Sequence, residues 1–499
     1  MVQLRGSLAS AILLAMAITV AASPRSYHGY RLVNAVPRSA EDAAELRALA
    51  TWTGVDMWSR RAAPGATVTF MVAPGAAQRR VLQRLEELGV PYSLGEHDVQ
   101  SLVEREARDQ TRSRALLRDD AGSSVRFDTY MRHGEIEQYL AELAAKYPKL
   151  VTLHSVGKSY EGRNMTAIRV SLDGGNAPRA ILVDAGIHAR EWIAPATALY
   201  LINRLVEHAD EHQALLQGLD WYILPVVNPD GYEYTHTKVR TDITHHHYLV
   251  QTLFLTKYSR TNQIKSSRPN YFITTNKILV PRAKISSVLN LVIWTKRSSG
   301  CRFWRKNRGA KRETWLKWLW DLLCEPGADL NRNFGFHWMQ SGASSYPCAE
   351  TFAGKKAFSE VESQNLRDFV LNANKDKRFK MYLTLHSYGP MILYPWGYDY
   401  RVEPAPDAKQ LADIGNEANA AMVKAGSEPF EVENSAELYP AAGGSDDWAK
   451  GEADIAKSYT IELHGGGSQG FDLPASRILT SVQQTFEGLK VFASHAREL

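Results

Sequence analysis

The hydrophobic positions fall into two textures along the chain. The first runs from residue 24 to about 118. Tyr30-Arg31-Leu32-Val33 and Thr67 to Val72 alternate or cluster like strands, while Ala40 to Thr51 and Ala77 to Leu88 read as helices. Tyr92-Ser93-Leu94 and His97-Asp98-Val99 suggest a closing strand, so the order β-α-β-α-β predicts a small α+β module. Arg105, Arg108, Arg112, Arg114 and Arg118 follow, in a stretch poor in large apolar groups. It reads either as a solvated connecting helix or as an exposed segment for a trypsin-like protease, since cleavage concentrates in linkers.

From about residue 119 the texture is that of a large α/β domain. Glu135 to Lys146 is amphipathic. Strand-like runs lie at Leu182–Ala185, Trp221–Val227, Met381–Leu385, Met391–Tyr394 and Ser458–Ile461. Helix-like runs lie between them, near Glu360–Asn372, Lys409–Ala425 and Ser476–Ala493. Buried strands alternating with helices predict a mixed, mostly parallel sheet with helices on both faces. Residues 239–301 break this texture. They hold one Ala, one Gly and one acid, show no sustained period, and exceed the usual length of a structureless loop. The stretch reads as a recent or artefactual insertion, such as an unspliced intron. Its His245-His246-His247 run is more often solvated than metal-binding.

Composition changes this picture in three ways. Residues 1–22 carry Arg5, an apolar run from Leu8 to Val20 and small residues for cleavage near Ala22 or Ser23, the pattern of a secretory signal. No later run is long and apolar enough to span a bilayer, so the mature chain is expected to be secreted, with no membrane anchor. The formal charge of +5 misleads, because residues 239–301 alone carry ten Lys/Arg against one Asp, a net of +9 that leaves the remainder near −4. A local excess of this kind is poor evidence for a nucleic-acid partner. Of the three cysteines, Cys324 and Cys348 flank Asn331-Arg332-Asn333 and form a candidate pair, with Cys301 left over. No Cys-x-x-Cys spacing exists, which disfavours a cysteine-bound metal.

The chemistry gathers at strand ends. Gly186-Ile187-His188-Ala189-Arg190-Glu191-Trp192 follows the apolar run Ala180–Val183, which puts His188 and Glu191 at a strand's carboxyl end, where open α/β sheets place their sites. An imidazole and a carboxylate three residues apart can reach one metal, although such pairs also arise by chance on solvated faces. His386 ends Met381–Leu385 and can face the same crevice; alone, such a residue is more often structural. Glu462 ends the apolar strand Tyr459-Thr460-Ile461, where a carboxylate is costly without a task or a partner. Asn331 and Arg332 offer donors suited to a carboxylate, and Arg305 stands among the aromatics of Phe303-Trp304-Arg305-Lys306. Tyr439 precedes the turn-rich, acidic loop Gly443-Gly444-Ser445-Asp446-Asp447-Trp448.

Taken together these stretches resemble the zinc metallocarboxypeptidases of the pancreatic carboxypeptidase A/B type. The matching pieces are Gly186–Ile193, Asn228–Gly231, Phe303–Lys306, Asp329–Asn333, His386–Tyr388, Tyr439–Trp448 and Ile461–Leu463, in the family's order. The resemblance implies a signal peptide at 1–22, an activation propeptide at 23–118 and an enzyme domain at 119–499. It implies one zinc ion per chain on His188, Glu191 and His386, Glu462 as general base, and Arg305 beside the developing oxyanion. Asn331, Arg332 and Tyr439 would hold the terminal carboxylate of a peptide substrate. Arg190, Ser387 and Tyr388 would line the neighbouring subsite, and Cys324–Cys348 would be the family's disulfide. In this family an acid at the place of Asp446 goes with removal of C-terminal Lys or Arg, while Asp447 is expected to be structural. The implied protein is a monomeric zymogen, activated by a trypsin-like protease that cuts after Arg114 or Arg118.

The chain also departs from the family. The insertion at 239–301 precedes Arg305 and could displace it, which leaves a catalytically silent zinc-binding module as the alternative. Gly309–Trp320 looks long. His464-Gly465 follows Glu462-Leu463 where the family usually has Arg-Asp, which puts the local packing in doubt. Asn164-Met165-Thr166 is a glycosylation sequon.

Overall fold

The computed structural model describes residues 27–50, 52, 54–59, 62–116, 124–237, 271–273, 279–281, 302–309, 327–466 and 470–499. The expected signal at 1–22, Arg118, Cys301, Cys324, residues 310–320 and most of 239–301 lie outside them.

The first module is a four-stranded antiparallel sheet of β1 (Arg31–Ala35), β2 (Val55–Met57), β3 (Val68–Val72) and β4 (Tyr92–Asp98), in the order β2-β3-β1-β4. The expected strands and helices are there, and β2 is an addition too short to show a period. The helix Ala40–Leu49 starts where Ser39 accepts the Asp42 N–H, with Glu41 and Asp42 favouring the positive end. Alternation divides the sheet's two faces. Val33, Ala35, Val68, Phe70 and Val72 pack with Leu46, Val81 and Leu85 in one cluster. Leu32 and Met71 point the other way and pack with Trp58, Leu102, Phe303 and Phe471. Arg105, Arg108, Arg112 and Arg114 of the arginine-rich stretch lie on a helix, Val99–Leu116.

The large domain is built on an eight-stranded mixed sheet of β5 (Val151–Lys158), β6 (Asn164–Val170), β7 (Arg179–Ala185), β8 (Leu219–Leu224), β11 (Phe379–Ser387), β12 (Met391–Tyr394), β13 (Glu431–Asn434) and β14 (Lys457–Leu463). Their order is β13-β12-β14-β11-β7-β8-β6-β5. The central run β14-β11-β7-β8 is parallel, while β5, β6 and the pairing of β12 with β14 are antiparallel. One face is covered by the helices His133–Lys146, Ile193–Val206, Ala408–Lys424 and Ala475–Glu498, and the other by Val361–Ala373 and Ser445–Gly451. The central strands β7, β8, β11 and β14 are almost wholly buried, as parallel strands with both faces covered must be. Within 239–301, β9 (Tyr271–Ile273) and β10 (Leu279–Pro281) form an antiparallel hairpin, so that stretch is not wholly without regular structure.

Candidate metal centre

The carboxyl ends of β7, β11 and β14 lie side by side, and they place the chemistry. Gly186 leaves β7 with φ +66°, and a Cβ there would meet Pro195 at 3.2 Å. Glycine lets the chain turn at once from the strand into His188–Glu191 and then the helix Ile193–Val206. Strand register then puts His386 opposite Glu462.

His188, Glu191 and His386 are buried and form a cluster of three donors able to hold one metal ion. His188 Nδ1 lies 2.9 Å from Glu191 Oε1, His386 Nδ1 lies 3.0 Å from Glu191 Oε2, and the two Nδ1 atoms are 3.1 Å apart. Such spacing is close to the edge of a tetrahedron with bonds of about 2.0–2.1 Å, the bond length of zinc with nitrogen or oxygen. The far ring nitrogens are engaged as well: His188 Nε2 lies 3.1 Å from Asp329 Oδ1, and His386 Nε2 lies 3.1 Å from Thr384 Oγ1. The donor set therefore fits a nitrogen- and oxygen-liganded metal with its outer hydrogen bonds already made.

Electrostatics agree. Burial, then the Arg305 charge, pushes the His188 imidazole down to about 4, so it stays neutral and keeps a lone pair for a metal. Burial alone would raise Glu191, but its interactions with His188 and His386 outweigh it and hold the carboxyl well below its usual range. Asp329 behaves likewise: burial opposes its charge, and Arg305 and His188 prevail.

A cavity of about 430 Å³, counting its solvent-open part, has His188, Arg305, Asn331, Arg332, Asp446 and Glu462 in its wall, with Tyr439. Arg305 donates Nε and Nη2 to Asp329 Oδ2 at 3.0 and 2.9 Å. It thus lies in the cavity although the insertion precedes it. Arg332 is braced by Gly342 O at 3.0 Å and Asn331 O at 2.8 Å, and its guanidinium lies 5.8 Å from the Tyr439 ring centre. Asp446 and Asp447 diverge. Asp447 is buried and accepts the Gly397 N–H at 2.9 and 3.0 Å; burial, then Asp446, raises its carboxyl well above the usual range. Asp446 faces the cavity.

Of the other expected substrate residues, Arg190 and Tyr388 meet the first module, while Ser387 reaches Glu191. Arg190 forks onto Asp56 of β2, at 2.5 Å from Nη1 and 3.3 Å from Nη2, and its guanidinium lies 4.1 Å from the Phe471 ring centre. The Ser387 N–H reaches Glu191 Oε2 at 3.2 Å, and the Tyr388 ring packs edge-on to Phe471 at 4.9 Å. Arg302 is gripped by Glu106 of the Val99–Leu116 helix. Arg114, one of the two expected cut positions, donates to Glu135 at 2.6 and 3.0 Å and to Tyr130 O at 2.8 Å. His464, which departs from the family pattern, lies 2.8 Å from Ser427 Oγ and packs edge-on against Phe430. Sequence reasoning missed Asp56, Glu106, Asp184, Asp329 and Thr384. Of these, only Asp329 fell inside a matched stretch.

Comparison with known proteins agrees with this geometry. Residues 136–488 match the family described as "Zinc carboxypeptidase", and residues 33–106 match "Carboxypeptidase activation peptide". Carboxypeptidase B of Astacus astacus is 34% identical over 372 residues, covering 74% of this chain and 98% of the relative. Carboxypeptidase A1 of Bos taurus is 29% identical over 445 residues, covering 88% of this chain and 87% of the relative. The crystal structure of carboxypeptidase A from Helicoverpa armigera superposes with a TM-score of 0.75 at 28% identity, covering 94% of this chain and 98% of that one. The larger family match spans most of the chain and contains all three donors, so the chain belongs to the zinc carboxypeptidase family and is a metallocarboxypeptidase made with its own activation peptide.

Proposed function

We propose that this chain is a secreted zymogen whose activated form hydrolyses the C-terminal peptide bond of peptides and proteins, with preference for Lys or Arg at the end. The observation that carries this reading is one cavity that joins the His188 side of the donor cluster to Glu462, Arg305, Arg332 and Asp446. His188, Glu191 and His386 would hold zinc, one ion per chain. When bound, zinc supplies a Lewis acid that polarises the scissile carbonyl and acidifies water.

The chain's own groups do the rest. Arg332 and Asn331, with Tyr439, bind the substrate's terminal carboxylate, which restricts attack to the last peptide bond. Arg305, fixed by Asp329, places a positive charge where the oxyanion develops. Glu462 takes a proton from the attacking water and passes it to the leaving amine. Asp446 pairs with a cationic side chain in the specificity pocket.

Residues 1–22 serve as the signal, 23–118 as the propeptide and 119–499 as the enzyme, with 239–301 as an insertion. The propeptide blocks Arg190 through Asp56 and the neighbouring Tyr388 through Trp58, and its Glu106 holds Arg302. A trypsin-like protease releases it by cutting after Arg114 or Arg118. The Arg114–Glu135 bridge favours Arg118, because Arg114 is already engaged. Cys324 and Cys348 form the disulfide. The enzyme acts as a monomer, with no nucleic-acid or membrane partner; no helix among the described residues is long and apolar enough to cross a membrane.

The test compares the activated protein with and without a zinc chelator, on matched Arg- and Phe-terminated peptides. Activity should vanish on chelation and return with zinc, and the Arg-terminated peptide should be cut faster. Full activity after zinc is stripped would exclude the reading.

A further inference from the structure

Asp184 is a fully buried carboxyl in the middle of β7, and nothing in the proposed reaction uses it. A carboxylate so placed is costly unless its acceptors are filled for a reason. They are filled: Tyr382 OH donates to Oδ2, and Thr384 Oγ1 donates to Oδ1 at 2.7 Å. Strand register puts Asp184 directly opposite Thr384, two residues before His386.

A threonine hydroxyl has one proton. Asp184 takes it, so Thr384 Oγ1 presents only lone pairs to His386 Nε2, 3.1 Å away. Nε2 must therefore carry the ring hydrogen. Nδ1 is left as the lone-pair nitrogen, and it is Nδ1 that faces His188 Nδ1 and Glu191. We propose that Asp184, acting through Thr384, is a positioning residue that holds His386 in the tautomer and orientation a metal ligand needs. This rests on the donor-cluster reading above. His188 gets the same service from Asp329 directly, and His386 gets it at one remove.

The argument predicts how substitution fails. With Asp184→Asn, the side-chain amide can donate to Thr384, and the threonine proton then turns towards His386 Nε2. The Nδ1–H tautomer results, and it competes with the metal. Thr384→Val removes the relay outright, whereas Thr384→Ser keeps it.

The test measures zinc affinity of the full-length zymogen by competition with a chromophoric chelator, together with the visible spectrum of the cobalt-substituted protein. Thr384→Val and Asp184→Asn should each weaken zinc about 10–100-fold, the usual effect of losing an outer-shell partner. They should also alter the cobalt spectrum, while Thr384→Ser stays near wild type. Wild-type affinity and an unchanged spectrum in folded Thr384→Val would overturn the inference. If Thr384→Val does not fold, the contrast between Asp184→Asn and Thr384→Ser decides, and equal affinities overturn it. Failure of the wild-type protein to bind zinc would instead sink the donor cluster itself.

Discussion

Asp56→Asn should turn a slow-releasing zymogen into a fast-releasing one. Asp56 and Arg190 are 9% and 2% exposed, and the fork between them is backed by the Trp58 indole, which donates to Asp56 Oδ2 at 3.0 Å. Asparagine keeps the shape and one acceptor but removes the charge. An uncompensated buried cation costs roughly 3–5 kcal/mol, and that cost exists only while the propeptide covers Arg190. Once the propeptide leaves, Arg190 regains water. At about 1.4 kcal/mol per tenfold, the severed propeptide should be held on the order of 100- to 4,000-fold less tightly. The assay follows two signals during limited proteolysis: cut chain on a denaturing gel, and hydrolysis of an Arg-terminated peptide. In the wild type activity should lag behind cutting; in Asp56→Asn the two should rise together. An undiminished lag in a variant with unchanged unfolding temperature would refute the reasoning.

Three further outcomes are expected. Asp446→Ile should lower kcat/KM for Arg-terminated peptides about 10- to 100-fold, the loss of one hydrogen-bonded charge pair, and raise it for Phe- or Leu-terminated ones; unchanged hydrolysis of Arg-terminated peptides would refute the assignment. Burial pushes Glu362 up to about 7, so the folded state holds a proton that the unfolded state has released. Its contribution is full below the ordinary carboxyl range and is lost as pH rises through about 7. Glu362→Gln should therefore flatten the fall in stability across that window by at most about 3 kcal/mol, and parallel pH profiles of unfolding temperature would contradict this. Replacing 239–301 by a short Gly/Ser linker should leave kcat/KM and zinc affinity as they are, and loss of either in a folded protein would show that the insertion supports the site.

The parts legible in the sequence were those whose signal is local. The helices Val361–Ala373, Ala408–Lys424 and Ala475–Glu498 and the strands β7, β8, β11 and β14 advertise themselves by period or by unbroken apolar runs. β5 does not: its Thr152 and Ser155 are exposed, its Leu153 and His154 only partly covered, and its alternation is blurred. The same division runs through the site. His188 and Glu191 share one turn, and His386 and Glu462 end apolar strands. The residues that support them meet partners far away along the chain: 134 positions separate Asp56 from Arg190, 141 separate Asp329 from His188, and 200 separate Asp184 from Thr384. No window-based pattern contains such pairs; only the strand register and the packed modules bring them together.

The insertion follows the same logic from the other side. Arg305 stays in the cavity because the chain on either side of 239–301 is fastened to the loop after β7. Asn228 Nδ2 donates to both Ile187 O and Lys306 O at 3.1 Å, and the Ala189 N–H donates to Arg305 O at 3.1 Å. His236 stacks on the Trp192 ring at 3.8 Å, and the Arg302 guanidinium lies 3.5 Å from the same ring. The two shoulders of the insertion are thus clamped to a single indole next to Glu191. With the ends fixed in this way, added length is paid only as loop-closure entropy, about 0.6 kcal/mol per doubling. A site assembled from the loop after β7 and the carboxyl ends of β11 and β14 does not depend on the number of residues between 239 and 301, provided the chain returns to Trp192.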